Sequence, residues 1–140
     1  MAEDLRRRGV APPAVLRDLM NAAVLTTTPE TSVTEAAAGM VRARVGSAIV
    51  MQGSFLAGIL TERDVMRAAA SAEDLRHSPV SAWMTPDPQS AGPDTTAADA
   101  AQMMLLHGFR HLPVLEGRQV LGVVSLRELF AARIQRPAAG

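Results

Sequence analysis

The sequence Gly-Ile-Leu-Thr-Glu-Arg-Asp at residues 58–64 has a counterpart, Gly-Val-Val-Ser-Leu-Arg-Glu, at residues 122–128. In both segments an apolar stretch runs into a Thr or Ser that is followed three residues later by a carboxylate, a pattern typical of the start of a helix. The two segments lie 64 residues apart, and this offset aligns the two halves of the chain without a gap. The chain therefore contains an internal repeat, and the repeating unit determines the fold.

The matched glycines and prolines support the repeat most strongly, because they mark equivalent backbone geometry. Apolar and charged positions follow the same offset. The equivalent pairs include Pro29 and Pro93, Gly53 and Gly117, Gly58 and Gly122, Met20 and Met84, Val50 and Val114, and Arg63 and Arg127.

Each half predicts the same order of elements: strand, helix, strand, strand, helix. A half is too small to bury its own apolar faces well, so the two halves are expected to pack together. The sequence predicts an α/β (α+β) fold of two β-α-β-β-α motifs with pseudo-two-fold symmetry. The predicted segments are an N-terminal tail at 1–13, a first motif at 14–71, a polar linker at 72–79, a second motif at 80–136 and a C-terminal tail at 137–140.

The composition excludes several classes of function. The 140 residues are 48% hydrophobic and 20% charged with a formal net charge of zero, which gives no electrostatic case for nucleic-acid binding. The chain has no Cys, and its three His show no metal-ligand spacing, so we expect no metal site. No apolar run approaches the roughly 20 residues that span a bilayer, which predicts a cytoplasmic protein without a membrane partner. Phosphate-binding loops and nucleophile elbows are also absent from the sequence, so we expect no enzymatic activity.

Both halves resemble the CBS domain, the cystathionine-β-synthase motif. The resemblance implies a tandem pair that associates into a flat disc, has a regulatory role and binds adenosyl ligands in the cleft between its two motifs. Since little chain lies outside the repeat, we expect a stand-alone module. The segments that carry the resemblance are 16–20, 29–33, 45–50 and 58–64 in the first half, and 80–84, 108–114 and 122–128 in the second.

The chief candidate site combines Thr61 and Asp64. Two interpretations are open from the residues alone. Thr61 and Asp64 at this spacing form a helix cap worth about 1 kcal/mol. The resemblance instead implies that Asp64 binds the ribose hydroxyls, beside a helix N-terminus that favours anions. The resemblance also implies that Arg110 and His111 reach the ligand's phosphates from the second half, while a solvated basic pair is the alternative from the residues alone.

Further candidates surround this site or form a second one. The walls of the adenine slot are predicted to come from Val24, Thr26, Thr28, Ala48 and Ile49. A weaker second site is predicted from Ser125, Glu128 and Ser47. Glu128 departs from the family's Asp, and its longer side chain favours a capping role there.

The predicted function is that of a non-catalytic sensor. Its ligand would be an adenosine compound, namely AMP, ADP or ATP, with S-adenosylmethionine or NAD as further possibilities, and no cofactor is required. We expect a homodimer that signals to an unknown regulated protein partner, with Met20, Met40, Met84 and Met104 as candidates for its helical interface. The alternative is a structural dimerisation or scaffold module without a ligand, in which Thr61 and Asp64 act only as caps.

Overall fold

The computed structural model describes residues 2–7, 9 and 12–135 of the 140-residue chain. The predicted tail at 137–140 lies outside the described residues. The helices are α1 (Ala2–Arg7), α2 (Leu16–Leu19), α3 (Val33–Ala43), α4 (Glu62–Ala69), α5 (Ala97–His107) and α6 (Leu126–Gln135). The strands are β1 (Thr26–Thr27), β2 (Ser47–Gln52), β3 (Phe55–Thr61), β4 (Thr85–Pro86), β5 (His111–Glu116) and β6 (Gln119–Ser125).

This order confirms the predicted mixed α/β fold with two repeats. The helices α3 and α5 each begin one residue after a capping hydroxyl. Ser32 Oγ accepts a hydrogen bond from the Glu35 amide at 3.1 Å, and Thr96 Oγ1 accepts one from the Asp99 amide at 3.2 Å. The first strand of the second repeat is reduced to a single parallel bridge between Ala91 and Val114.

The chain forms two compact units whose edges differ from those of the repeats. Unit 1 takes its described residues from Met1–Ala22, Ser90–Glu116 and Leu121–Gly140, and unit 2 consists of Ala23–Gln89 and Gly117–Val120. The helix α2 therefore belongs to the unit of the second repeat, and the start of the second repeat belongs to unit 2. The two repeats have exchanged their entry segments, which are residues 14–22 of the first repeat and residues 80–89 of the second.

Unit 2 contains a four-stranded sheet in the order β1-β2-β3-β4. The strand β1 is parallel to β2, whereas β2, β3 and β4 are antiparallel. A tight turn with Gly53 at φ 62° joins β2 to β3, a conformation that glycine adopts without steric cost. One face of the sheet packs with α3 and the entry segment into a core formed by Ala36, Met40, Ala48, Val50, Leu60 and Val80.

Unit 1 repeats this arrangement around β5 and β6. Asn21 bridges Val123 in the antiparallel sense, which is the counterpart of the pairing between Thr85 and Ile59 in unit 2. Its core consists of Leu16, Ala100, Met104, Leu112, Val114, Val124 and Leu129.

The hydrogen bonds of the two entry segments are equivalent under the 64-residue offset of the sequence repeat. The Leu16 amide donates to the Thr95 carbonyl at 2.9 Å, and the equivalent Val80 amide donates to the Thr31 carbonyl at 2.8 Å. The loops that contain these carbonyls precede α5 and α3 respectively. Each entry segment is thus fixed to the loop before the helix of its unit.

The predicted linker at 72–79 is held by local contacts. The Asp74 carboxylate is 2.9 Å from His77 Nδ1 and accepts from the Arg76 amide at 3.1 Å. The hydrogen bond with His77, together with those from Arg76, lowers the pKa of Asp74 to about 2. At the end of the linker, the Ser78 carbonyl accepts from the first amide of α3, that of Val33, at 2.9 Å.

The methionines expected at a dimer interface lie inside the units instead. Met40 and Met104 are 5% and 1% exposed and belong to the two cores. Met84 and Met20 pack over Gly58 and Gly122. Their unbranched side chains fill the gap that the missing Cβ leaves, a role that suits methionine.

The two glycines have no room for a side chain. A Cβ on Gly58 would lie 2.6 Å from Met84 Sδ and 2.8 Å from the Thr85 carbonyl oxygen. A Cβ on Gly122 would lie 2.7 Å from Met20 Sδ and 2.9 Å from the Asn21 carbonyl oxygen. The backbone oxygens cannot withdraw without breaking the pairing of the entry segment with its sheet.

We therefore expect Gly58→Ala and Gly122→Ala each to lower the free energy of unfolding by about 1–3 kcal/mol, the cost of overpacking. Urea denaturation followed by circular dichroism measures this loss. Gly39→Ala is the matched control. Gly39 lies within α3, and a Cβ there would be 3.6 Å from the Leu25 side chain, an ordinary van der Waals distance. This control should raise the stability by about 0.5–1 kcal/mol. Equal stability of all three variants would contradict the close approach.

Candidate functional site

The junction between β3 and α4 positions the chief candidate residues. Thr61 is the N-cap of α4, and its Oγ1 accepts from the Asp64 amide at 3.3 Å. Asp64 Oδ2 in turn accepts from the Thr61 amide at 2.8 Å and from Thr61 Oγ1 at 3.0 Å. The capping box expected from the sequence is therefore present, and it orients the carboxylate back toward the end of β3.

A second set of contacts holds the other oxygen of Asp64. Arg67 Nη1 lies 2.9 Å from Asp64 Oδ1, one helical turn further along α4. The Arg67 guanidinium lies 5.8 Å from the centre of the Trp83 ring, within the range of a cation–π contact. Trp83 Nε1 donates to the buried Ser78 Oγ at 2.9 Å. The chain of contacts therefore runs from the linker through the entry segment to the carboxylate.

One face of the unit 2 sheet carries three of the remaining candidates, Thr26, Ser47 and Ile49. The side chains of Ala48, Val50 and Leu60 belong to the helix-covered core. Neighbouring strand residues point to the opposite face. Cross-strand pairing then joins Ser47 to Thr61 and Ile49 to Ile59, with Thr26 alongside Ile49.

The other predicted wall residues lie elsewhere. Ala48 has no exposed surface, and its side chain belongs to the core, so it offers only its backbone to the opposite face. Val24 is half-buried and precedes β1. Thr28 follows β1, and its hydroxyl lies 2.8 Å from the Thr31 hydroxyl. The predicted adenine walls therefore do not form one surface: Ala48 lies on the face opposite to Thr26 and Ile49, and Val24 and Thr28 lie outside the strands.

The equivalent junction in unit 1 has the same cap in a different environment. Ser125 Oγ accepts from the Glu128 amide at 3.1 Å, while Glu128 Oε1 lies 2.9 Å from Ser125 Oγ. Asp64 is 6% exposed, whereas Glu128 is an exposed residue. Position 131, which corresponds to Arg67, is Ala. Of the two carboxylates, Asp64 is thus the buried and ion-paired one.

Arg110 and His111 lie at the start of β5 in unit 1. Arg110 is exposed, and its carbonyl accepts from the first amide of α6, that of Leu126, at 2.8 Å. His111 is half-buried. Since Asp64 belongs to unit 2, the convergence of these two side chains on its ligand stays a prediction.

Sequence reasoning missed Arg67, Trp83 and Ser78. A signal for Arg67 was present, because a carboxylate and an Arg three residues apart on a helix lie on the same face. Trp83 is the only Trp of the chain and stands where the first repeat has Leu19. Its contact with α4 depends on the exchange of entry segments, which the repeat pattern does not reveal.

The described residues contain no cluster of three or more His, Asp or Glu side chains that could hold a metal ion. Across the same residues, every helix is too short or too polar to cross a bilayer.

Comparison with known proteins gives the family of both repeats. The sequence profile of the CBS domain matches residues 16–71 and 80–134. CBS domain-containing protein YhcV of Bacillus subtilis is 32% identical over 126 residues, which cover 89% of each chain. A 17.7 kDa protein in the bps2 3′ region of Acidianus ambivalens is 39% identical over 106 residues, which cover 74% of this chain but 63% of that protein.

A solved structure supports the fold. The CBS domain pair of protein MJ0100, in complex with 5′-methylthioadenosine and S-adenosyl-L-methionine, aligns with a TM-score of 0.82. The alignment covers 90% of this chain and all of that one at 20% sequence identity. At this identity the likeness concerns the fold alone.

The different surroundings of the two carboxylates predict different costs of removing them. Asp64→Ala leaves the half-buried amide and hydroxyl of Thr61 without their acceptor, so we expect a loss of about 1–3 kcal/mol in the free energy of unfolding. Glu128→Ala removes an exposed cap partner and should cost about 1 kcal/mol or less. Urea titrations of both variants measure the difference. Equal losses would show that burial and the ion pair add nothing to the cap at Asp64.

Proposed function

The chain belongs to the CBS-domain family, with two CBS domains in tandem, and we propose that it is a non-catalytic regulatory module that binds an adenosyl ligand at the Asp64 junction. The observation that carries the proposal is the asymmetry between the two repeats. Only the first repeat has a buried aspartate at its strand–helix junction, while the second has an exposed glutamate. The complex of the MJ0100 domain pair with two adenosyl compounds supports the ligand class.

The chemistry of the junction suits a ribose. A carboxylate accepts hydrogen bonds from the two neighbouring hydroxyls of the sugar. On the sheet face opposite the helix-covered core, Ile49 and Ser47 are 0% and 7% accessible, whereas Thr26 is exposed. Of these three residues only Thr26 offers accessible surface, together with a hydroxyl. Arg110 and His111 remain the predicted donors for the ligand's phosphate. AMP, ADP, ATP, S-adenosylmethionine and NAD all present the adenosyl group that this arrangement would recognise.

Regulation requires that the ligand bind two states of the module with different affinity. The ligand would then shift the population toward one state, which an unknown protein partner would recognise. A scaffold without a ligand is the second candidate function. It is favoured by the hydrogen bonds of Asp64, since both oxygens of the carboxylate have partners within the protein.

We further propose that the module is a homodimer formed through its helices. The helices α3 and α4 of unit 2 expose Val41 and Met66, which are 77% and 66% accessible. The equivalent positions on α5 and α6 of unit 1 are Leu105 and Phe130, at 63% and 44%. We infer the interface from these exposed apolar side chains because the repeat retains them at equivalent positions of both units.

An adenosine nucleotide at about 100 times its dissociation constant should stabilise the wild type by about 2.7 kcal/mol. The corresponding rise in melting temperature is about 5–10 °C. Differential scanning fluorimetry with AMP, ADP, ATP, S-adenosylmethionine and NAD measures this shift, and isothermal titration calorimetry confirms binding. If none of these compounds shifts the melting temperature, the scaffold function replaces the sensor function.

Three variants test which residues bind the ligand. Asp64→Asn should abolish most of the shift, whereas the matched Glu128→Gln should retain it. Arg110→Ala should weaken the binding of nucleotides more than that of adenosine, because its proposed target is phosphate. Equal effects of Asp64→Asn and Glu128→Gln would contradict a site at Asp64.

The dimer is tested by placing charge on the helical surface. Met66→Glu combined with Phe130→Glu should raise the dimer dissociation constant by at least about tenfold, because an unpaired buried carboxylate costs more than the ~1.4 kcal/mol of a tenfold change. Sedimentation velocity measures the association. Phe55→Glu is the control, since Phe55 is an exposed aromatic at the start of β3 rather than on a helix. A wild type that sediments as a monomer at micromolar concentration would exclude the dimer.

A further inference from the structure

Arg67 covers the carboxylate on which the proposed ribose recognition depends. Its Nη1 lies 2.9 Å from Asp64 Oδ1. The side chain of Asp64 is 8% exposed, whereas that of Arg67 is 57% exposed. Of the two partners Arg67 is therefore the one that can move, because its departure disturbs little packing, while Asp64 is fixed by the cap.

The acceptor sites of Asp64 are limited. Oδ2 already accepts two hydrogen bonds, from the amide and the hydroxyl of Thr61, at 2.8 and 3.0 Å. A carboxylate oxygen has two lone pairs, so Oδ2 has no further capacity. A ribose diol brings two donors, and these must use both lone pairs of Oδ1. One of these lone pairs is taken by Arg67.

We propose that Arg67 is an internal competitor of the ribose diol, so that a ligand binds Asp64 only by displacing the Arg67 guanidinium. The proposal rests on the proposed function and concerns the regulation of the same site. The ion pair raises the ligand concentration at which the site fills. Because the competitor is part of the protein, its effective concentration is fixed. It therefore raises the apparent dissociation constant of the ligand by a constant factor.

The position of Arg67 is supported from its other side. The Trp83 ring lies 5.8 Å from the guanidinium carbon, and the Trp83 indole is anchored to Ser78 at 2.9 Å. All four residues of this chain of contacts lie in unit 2. The second repeat lacks the arrangement, because the residues equivalent to Arg67, Trp83 and Ser78 are Ala131, Leu19 and Ala14. An Arg therefore follows the buried Asp64 by three residues, whereas an Ala follows the exposed Glu128 at the same spacing.

The test compares wild type with Arg67→Met, which keeps an unbranched side chain and removes the charge. Two probes are titrated by calorimetry: adenosine, which carries the diol, and 2′,3′-dideoxyadenosine, which lacks it. We expect Arg67→Met to bind adenosine about two- to fivefold more tightly, the upper part of the range expected for loss of a competing, partly exposed ion pair. The affinity for dideoxyadenosine should be the same in both proteins.

Ionic strength gives a second readout. Salt screens the ion pair more than it affects the uncharged ligand. Raising the salt concentration should therefore tighten adenosine binding to wild type and leave Arg67→Met unchanged. The matched control is Arg63→Met, which removes an exposed Arg from the same helix and should behave as wild type.

The outcomes separate this inference from the proposed function. If wild type binds adenosine and Arg67→Met binds it equally or more weakly, Arg67 is not a competitor, and the adenosyl site stands. A gain for dideoxyadenosine equal to that for adenosine also overturns the competition for the diol. If neither protein binds adenosine or any nucleotide, both proposals fail. Binding by Arg67→Met alone would support the competitor in its strongest form.

Discussion

The contact between a methionine and a glycine that lacks a Cβ, made once in each unit, fixes the entry segment to the sheet. In unit 2, Met84 and Thr85 lie so close to Gly58 that no side chain fits there. Since Gly58 is in β3 and β3 ends at Thr61, this contact also sets the register of the strand that leads to the candidate site. The packing of the entry segment and the place of Asp64 therefore depend on the same backbone approach.

Much of this architecture could be predicted from the sequence, because the two halves, aligned at an offset of 64 residues, show the same pattern of elements. The helices α3 and α5 carry their caps in the sequence, and the hairpins carry glycines at their turns. The strand β1 is the first strand that the repeat predicts, whereas β4 was not predicted, since two residues are too few for an alternating pattern. The exchange of the entry segments could not be predicted from the sequence either. The two segments are equivalent in sequence, so the pattern cannot show which sheet each one joins.

The capping residues of the candidate site could be predicted from the sequence, whereas the burial and the contacts of these residues could not. Thr61 and Asp64 follow from spacing alone, as do Ser125 and Glu128, and all four form the expected caps. The burial of Asp64 and the exposure of Glu128 are tertiary properties that spacing cannot supply. The placing of Trp83 next to Arg67 is likewise a consequence of the exchanged segment. This contact is what distinguishes the first junction from the second.

The capping and ligand-binding interpretations of Asp64 are compatible, because they use different oxygens of one carboxylate. Oδ2 holds the start of α4, and Oδ1 is shared with Arg67. A ligand that took Oδ1 would leave the cap intact and free the guanidinium. In the proposed sensor, the released guanidinium would distinguish the ligand-bound state from the ion-paired one by an exposed positive charge, which is the kind of difference between two states that regulation requires.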